Sequence, residues 1–222
     1  MIIPSIDLMK GKVVQLKQGK NKVLEIDNPF YFAGRFADFK EVQVIDLDAA
    51  MNKGENTKKI KEILGIVNGR VGGGIRNTKK AVELIEAGAK KIIIGTKADK
   101  AFLQKLNEVI PKKKIIVALD SFKEKIVVEG WQKKTEKTPF ELIPELEPYC
   151  SEFFFTFVER EGLMKGTNFD SIKKLKKITK NKISVAGGIA SIQEAKKIEK
   201  LGINPIIGMA LYSGKITLEE IK

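Results

Sequence analysis

The stretch Val71-Gly72-Gly73-Gly74-Ile75 returns as Val185-Ala186-Gly187-Gly188-Ile189, 114 positions further along the chain. Two more landmarks repeat in the same order at nearly the same spacing. Ile93-Ile94-Gly95 resembles Ile206-Ile207-Gly208, and Asp7, closing one apolar run, matches Asp120, closing another, both 113 positions apart. In a chain of 222 residues, three landmarks repeated at one spacing read as an internal duplication.

Around these landmarks short apolar runs alternate with amphipathic stretches. Strands are predicted over Met1–Asp7, Val42–Asp48, Gly69–Gly72, Lys91–Gly95, Lys114–Asp120, Phe153–Phe157, Lys182–Ala186 and Pro205–Gly208. Helices are predicted over Pro29–Phe39, Thr57–Val67, Thr78–Ala87, Ala101–Val109, Asp170–Thr179 and Ile192–Leu201. Thr138-Pro139-Phe140-Glu141 and Ser191-Ile192-Gln193-Glu194 both carry the residues of a capping box, in which cap side chain and third-position acid satisfy each other's backbone N–H. Strands alternating with helices argue for a parallel sheet. Two equivalent halves of four βα units most simply close, so the expected fold is α/β: a single (βα)8 TIM barrel built from two duplicated (βα)4 halves, approximately residues 1–113 and 114–222. An open doubly wound sheet is the alternative, and no linker marks a domain boundary.

Composition narrows the chemistry. There is no histidine, which removes Ser-His and Cys-His nucleophilic catalysis and the commonest zinc sites, so acid–base work falls to Asp, Glu, Lys, Tyr or Cys. Cys150 is the only cysteine; it excludes intrachain disulfides and cysteine-based metal clusters, and fits a cytoplasmic protein. No run of about 18 apolar residues indicates a membrane helix, and Met1–Asp7 reads as a first strand rather than a signal peptide. The net charge of +13 raises nucleic-acid binding. The cations, however, are nearly all lysines interleaved with glutamate, as in Lys58-Lys59-Ile60-Lys61-Glu62, which is the pattern of solvated helix faces. Such a charge also attracts phosphorylated metabolites.

In a (βα)8 barrel the site lies at the carboxyl ends of the strands. Strands one and five are opposed across the mouth, so Asp7 and Asp120 would face each other with room for a substrate between an acid and a base. The alternative for a strand-ending acid is to cap the next helix. Gly73-Gly74 and Gly187-Gly188 each precede a helix start, where glycine lets backbone N–H groups approach an anion. With Arg76, Gly95-Thr96 and Gly208-Met209 they predict two phosphate sites on opposite sides of the mouth, hence a ligand with a phosphate at each end. Tight βα turns also need glycine without any anion.

Ile3-Pro4-Ser5-Ile6-Asp7-Leu8, Gly11-Lys12-Val13-Val14, Val44-Ile45-Asp46-Leu47-Asp48, Gly72-Gly73-Gly74-Ile75-Arg76, Ala118-Leu119-Asp120 with Gly130-Trp131, and Ala186-Gly187-Gly188-Ile189 together resemble the ProFAR isomerase family of histidine biosynthesis, over essentially the whole chain. The resemblance implies an Amadori rearrangement of an aminoaldose to an aminoketose on a bis-phosphorylated small molecule, with no metal and no organic cofactor. It implies Asp7 as base, Asp120 as acid, Thr156 as a support for the reacting group and Trp131 as an aromatic packed on a substrate ring. Left to their own residue types, Thr156 reads equally as a strand former and Trp131 as core.

Gln15 stands where members often have arginine, Phe157 where an acid is frequent and Glu161 where Asp is frequent, and Thr217–Lys222 leaves little more than a turn for an eighth helix. Two rival readings remain: the related cyclase subunit of imidazole glycerol phosphate synthase, and a non-catalytic basic barrel that binds phosphate or nucleic acid. Gly130-Trp131 and Ser5-Ile6-Asp7 look like the isomerase. Two carboxylates at the mouth would repel a nucleic-acid backbone, so the expected partner is a small molecule, with no nucleic acid and no membrane, bound by a monomer.

Overall fold

The apolar runs become strands whose alternate residues face two different environments, and the sheet they form closes on itself. The computed structural model describes residues 1–222. Its elements are β1 (Ile3–Met9), β2 (Lys12–Lys17), β3 (Asn21–Ile26), α1 (Pro29–Arg35), β4 (Val42–Asp46), α2 (Leu47–Ala50), α3 (Thr57–Leu64), β5 (Gly69–Gly72), α4 (Thr78–Glu86), β6 (Lys91–Ile94), α5 (Lys100–Val109), β7 (Ile115–Ala118), β8 (Ser121–Phe122), β9 (Lys125–Val128), β10 (Lys133–Lys134), α6 (Pro139–Leu146), β11 (Glu152–Thr156), α7 (Phe169–Ile178), β12 (Lys182–Ala186), α8 (Ile192–Lys200), β13 (Asn204–Ile207), α9 (Met209–Tyr212) and α10 (Leu218–Ile221). Eight of the strands run parallel in the order β1-β4-β5-β6-β7-β11-β12-β13. Pairing of β13 with β1, Ile3 with Ile206 and Pro4 with Ile207, closes them into a (βα)8 barrel.

Period-two alternation assigns each strand residue to a face. Ile6, Val44, Val71, Ile92, Val117, Phe155 and Val185 face outward into the main core of 47 buried residues, where the amphipathic helices pack. Ile3, Ile93, Ile116, Phe154, Ala186 and Ile206 face inward and form a separate apolar layer inside the barrel.

Below that layer the interior is charged. Arg70 is fully buried and donates to Glu152 Oε1 at 2.6 Å and Ser184 Oγ at 2.8 Å. Lys91 Nζ meets Glu41 Oε1 at 2.6 Å and Glu152 Oε2 at 3.1 Å. Burial pushes the Glu152 carboxyl up, but Arg70 and then Lys91 outweigh it and hold the group below its ordinary value. Residues from β5, β6, β11 and β12, with Glu41 just before β4, are thus cross-braced through the barrel floor.

Element boundaries differ from expectation where end chemistry intervenes. The run Val42–Asp48 stops as a strand at Asp46, whose side chain caps α2 by accepting from Ala49 N at 3.0 Å. β1 runs past Asp7 to Met9 because Leu8 and Met9 pair antiparallel with β2. The run Lys114–Asp120 ends as a strand at Ala118, leaving Asp120 just beyond it. The helix expected over Pro29–Phe39 stops at Arg35, and that over Thr57–Val67 at Leu64. The capping box at Thr138/Glu141 forms. At Ser191 only half of one does: Ser191 Oγ accepts from Glu194 N, but the Glu194 carboxylate accepts instead from Thr167 N at 2.6 Å and Ala190 N at 2.8 Å, tying the loop after β11 to the loop after β12. The β2–β3 hairpin and the three-stranded β8–β10 sheet were not predicted; β3 is mostly exposed, β8 and β10 are two residues each, and the apolar runs of β2 and β9 are only Val13-Val14 and Ile126-Val127-Val128.

Removing one partner of a buried ion pair strands the other charge. Arg70→Met is expected to lower unfolding free energy by about 3–5 kcal/mol, and adding Glu152→Leu to recover most of that loss, because Lys91 and Glu41 still pair. Urea denaturation of the two variants and the parent checks it.

Candidate active site

Every site residue singled out from the sequence lines one cavity of about 330 Å³ at the carboxyl ends of the barrel strands. Asp7 enters it from β1 and Asp120 from the segment after β7, the first and fifth barrel strands. Their surroundings differ. Asp7 Oδ1 accepts from Ser5 Oγ at 2.7 Å, and Oδ2 from Gln15 Nε2 at 3.4 Å. Burial, opposed by these two bonds, pushes the Asp7 carboxyl up to about 6. Asp120 Oδ2 accepts from Trp131 Nε1 at 2.7 Å, while Oδ1 is buried and makes no hydrogen bond. Thr156 lies beside Asp120 without closing a bond to Oδ1, and burial again dominates, raising the Asp120 carboxyl.

A third carboxyl shares the space. Burial, then the charges of Asp7 and Asp120, push Glu161 up to about 8. Three half-buried carboxyls in one cavity cannot all ionise cheaply, so the pocket holds protons near neutral pH. The sequence offered Glu161 only as a departure from a family pattern; nothing in its spacing marked it as facing the aspartates.

The glycine loops are shaped by close backbone approach. Gly73 and Gly187 take φ of +96° and +101°. A Cβ at Gly187 would stand 2.6 Å from the Phe157 carbonyl oxygen, and one at Gly73 would strike the Asp46 carbonyl oxygen. The fold therefore demands glycine at both places whether or not an anion binds. Both loops nonetheless line the cavity, and each leads to a capped helix: Asn77 accepts from Lys80 N at the start of α4, and Ser191 from Glu194 N at the start of α8. Gly95 and Thr96 follow β6, and Gly208 and Met209 follow β13. Arg76 reaches the cavity, but its guanidinium donates to the carbonyls of Ala49 at 2.9 Å and Ala50 at 3.1 Å, so it braces the end of α2. Thr96 Oγ1 accepts from Glu129 N at 2.8 Å, linking that loop to the β9–β10 turn.

Three loops interlock over the mouth. Trp131, at φ of +67° in the β9–β10 turn, lays its indole against Gly19 of the β2–β3 turn. Gln18 donates from its backbone to Glu161 O at 3.0 Å and from its side chain to Glu159 O at 2.8 Å. Gln15, flagged for standing in place of an arginine, is 1% exposed and sits between Asp7 and Gly208.

Comparison with known proteins agrees with the geometry. A family model described as "Histidine biosynthesis protein" matches residues 1–217. The chain is 43% identical over 229 residues to the 1-(5-phosphoribosyl)-5-((5-phosphoribosylamino)methylideneamino) imidazole-4-carboxamide isomerase of Methanocaldococcus jannaschii, covering 99% of this chain and 97% of that protein. It is 36% identical to proteins of the same name from Methanosphaera stadtmanae, over 99% of this chain and 97% of that one, and from Aquifex aeolicus, over 100% and 97%.

A carboxyl raised by burial makes the folded state weaker once it must ionise. Asp7 has an ordinary value of 3.8 and a folded value of about 6, so its penalty is absent below pH 3.8 and complete above about 6. Asp7→Asn should therefore stabilise the protein at pH 7.5, by at most about 3 kcal/mol, and the gain should vanish by pH 4. Denaturant melts across that range test it; a gain independent of pH would contradict it.

Proposed function

The chain belongs to the histidine biosynthesis protein family, and from that premise we propose how its cavity carries out the isomerisation for which its relatives are named. The protein is an isomerase of histidine biosynthesis, acting on a small phosphorylated substrate. The finer reading is an Amadori rearrangement of the bis-phosphorylated aminoaldose ProFAR to its aminoketose. The observation that carries it is the pair of half-buried carboxyls, Asp7 and Asp120, at opposed strands of one cavity flanked by two glycine loops.

Asp120, its carboxyl raised by burial, supplies the proton to the ribose ring oxygen and opens the ring to an imine. Its Oδ1 is buried and has no hydrogen-bond partner. Asp7, held by Ser5 and Gln15 as an acceptor, removes the proton from C2. Ring opening leaves the imine nitrogen protonated, so the electrons of that C–H bond move to the C1–C2 bond and those of the C1–N π bond to nitrogen; the resulting enol becomes the ketone as C1 takes the proton held by Asp7 and the C2 hydroxyl returns one to Asp120. Thr156 supports Asp120, and Trp131, which must release Asp120 Oδ2 for full access, packs on the substrate. The phosphates seat at Gly73-Gly74 with Gly95-Thr96 and at Gly187-Gly188 with Gly208-Met209, the loops that line the cavity. Arg76 acts there as a brace, since its guanidinium is committed to α2.

No helix is long and apolar enough to cross a membrane. A cytoplasmic monomer formed from two duplicated halves fits this reading. The equivalent conformations of Gly73 and Gly187 support the duplication.

Purified protein is expected to turn over ProFAR, and Asp7→Asn and Asp120→Asn each to lower kcat by at least about 10²-fold with a smaller change in KM. An already ring-opened substrate should rescue Asp120→Asn but not Asp7→Asn. Equal rescue of both would reverse or remove the assigned roles. Inorganic phosphate soaked into crystals should occupy the two glycine loops; occupancy of surface lysines alone would remove the phosphate sites.

A further inference from the structure

Asp7 is held on both oxygens, and both holders lead to the same loop. Ser5 precedes Asp7 by two positions on β1, so the two side chains share the inward face. Ser5 is 4% exposed, and its hydroxyl reaches Asp7 Oδ1 at 2.7 Å. The Ser5 carbonyl in turn accepts from the Tyr212 hydroxyl at 2.9 Å, and Tyr212 lies on α9, which begins immediately after Gly208. Gln15 approaches Asp7 Oδ2 from β2 and presses its amide against Gly208, where a Cβ would come within 2.7 Å of Gln15 Oε1.

We propose that Ser5 is a positioning residue which, seconded by Gln15, aims the Asp7 carboxylate and keeps it the proton acceptor of the cavity. The proposal rests on the reading of Asp7 as base. A serine hydroxyl has one proton to give, and giving it to Asp7 favours the ionised acid. The other groups around Asp7 offer no such help. Glu161 from the loop after β11 and Asp120 across the mouth are acids, and Tyr212 from α9 is a half-buried neutral phenol. Gln43 and Ile45 on β4 and Ile206 on β13 are uncharged. Burial is the largest influence on Asp7 and opposes ionisation; the Ser5 and Gln15 hydrogen bonds are the influences that favour it. With Oδ1 tied to Ser5 and Oδ2 touched only by the long Gln15 contact, Oδ2 is the oxygen left to take a proton from carbon. Because Ser5 is fastened to α9 and Gln15 to Gly208, the aim of Asp7 is referenced to the loop proposed to seat one phosphate.

The test uses the parent, Ser5→Ala, Ser5→Thr, Gln15→Met and Asp7→Asn. Aspartate carboxyl carbons labelled with ¹³C are titrated by NMR, with Asp7→Asn identifying the Asp7 signal, and ProFAR turnover is followed across pH. A hydrogen bond to a charged group is worth about 1.5–3 kcal/mol, which corresponds to about 1–2 pH units. Ser5→Ala should move the Asp7 titration upward by about 1 unit and carry the acid limb of kcat/KM with it. Gln15→Met should move both less, and Ser5→Thr should restore both. An Asp7 titration unmoved in both Ser5→Ala and Gln15→Met overturns the proposal. So does a kcat/KM lowered equally at every pH, which is what a merely structural serine gives. If Ser5→Ala does not fold, Gln15→Met decides alone. Absence of ProFAR turnover by the parent would sink the isomerase reading instead, and the titration distinguishes the two failures.

Discussion

Arg70 sets the terms for the barrel. A guanidinium with no exposed surface, on a strand of four residues, has to find its counter-charge inside the sheet that encloses it. It finds Glu152 and Ser184 on β11 and β12, across the interior from β5. Neither water nor the helices can substitute for them. An unpaired charge there would be far more damaging than the pair is stabilising, so the arrangement acts chiefly as a constraint on which closures the strands can adopt. Register errors that would leave the apolar layer tolerable would separate Arg70 from Glu152. Charges thus occupy the lower interior and Ile3, Ile93, Ile116, Phe154 and Ile206 the middle, leaving the upper interior for the polar residues of the cavity.

The same logic explains why the mouth is crossed by loops that hold one another. The cavity concentrates carboxyls, and their shifts come from exclusion of water. Such exclusion requires a cover. Trp131 on Gly19, Gln18 on the backbone around Glu161, and Glu129 on Thr96 supply it by joining the turns after the first, fourth, fifth and sixth barrel strands. These contacts are few and are made largely by backbone groups and one indole, which suits a cover that has to admit substrate.

What was legible in the sequence followed from repetition and period. The paired landmarks at Gly73 and Gly187, Gly95 and Gly208, and Asp7 and Asp120 implied eight parallel strands and located the mouth, and each barrel strand falls within a few residues of its apolar run. What was not legible depends on contacts between residues distant in the chain. Arg70 counted only as one of four arginines, because nothing near it in sequence announces Glu152 or Ser184. Glu194 carries the residue type of a capping box, yet two backbone N–H groups outside its helix, on Thr167 and Ala190, claim its carboxylate. Arg76, expected beside a phosphate, is drawn to the exposed carbonyls at the end of α2, a helix hidden in what read as a continuous strand. The β2–β3 hairpin escaped notice because its outer strand is mostly exposed and lacks an apolar face.

Two aspartates in one cavity can take opposite roles only if their surroundings separate them. Burial raises both, and so cannot be what distinguishes them. The difference lies in the donors. Asp7 receives a hydroxyl from β1 and an amide from β2, two donors that favour its charged form. Asp120 receives its bond from Trp131, carried on a turn that forms part of the cover, and its other oxygen has none. On the proposed roles, a substrate ring that displaces that indole takes from Asp120 a donor that favoured its anion and leaves Asp7 its own. On that reading binding itself widens the gap between base and acid, because the donors to the two carboxyls sit on different elements, one of them part of the cover.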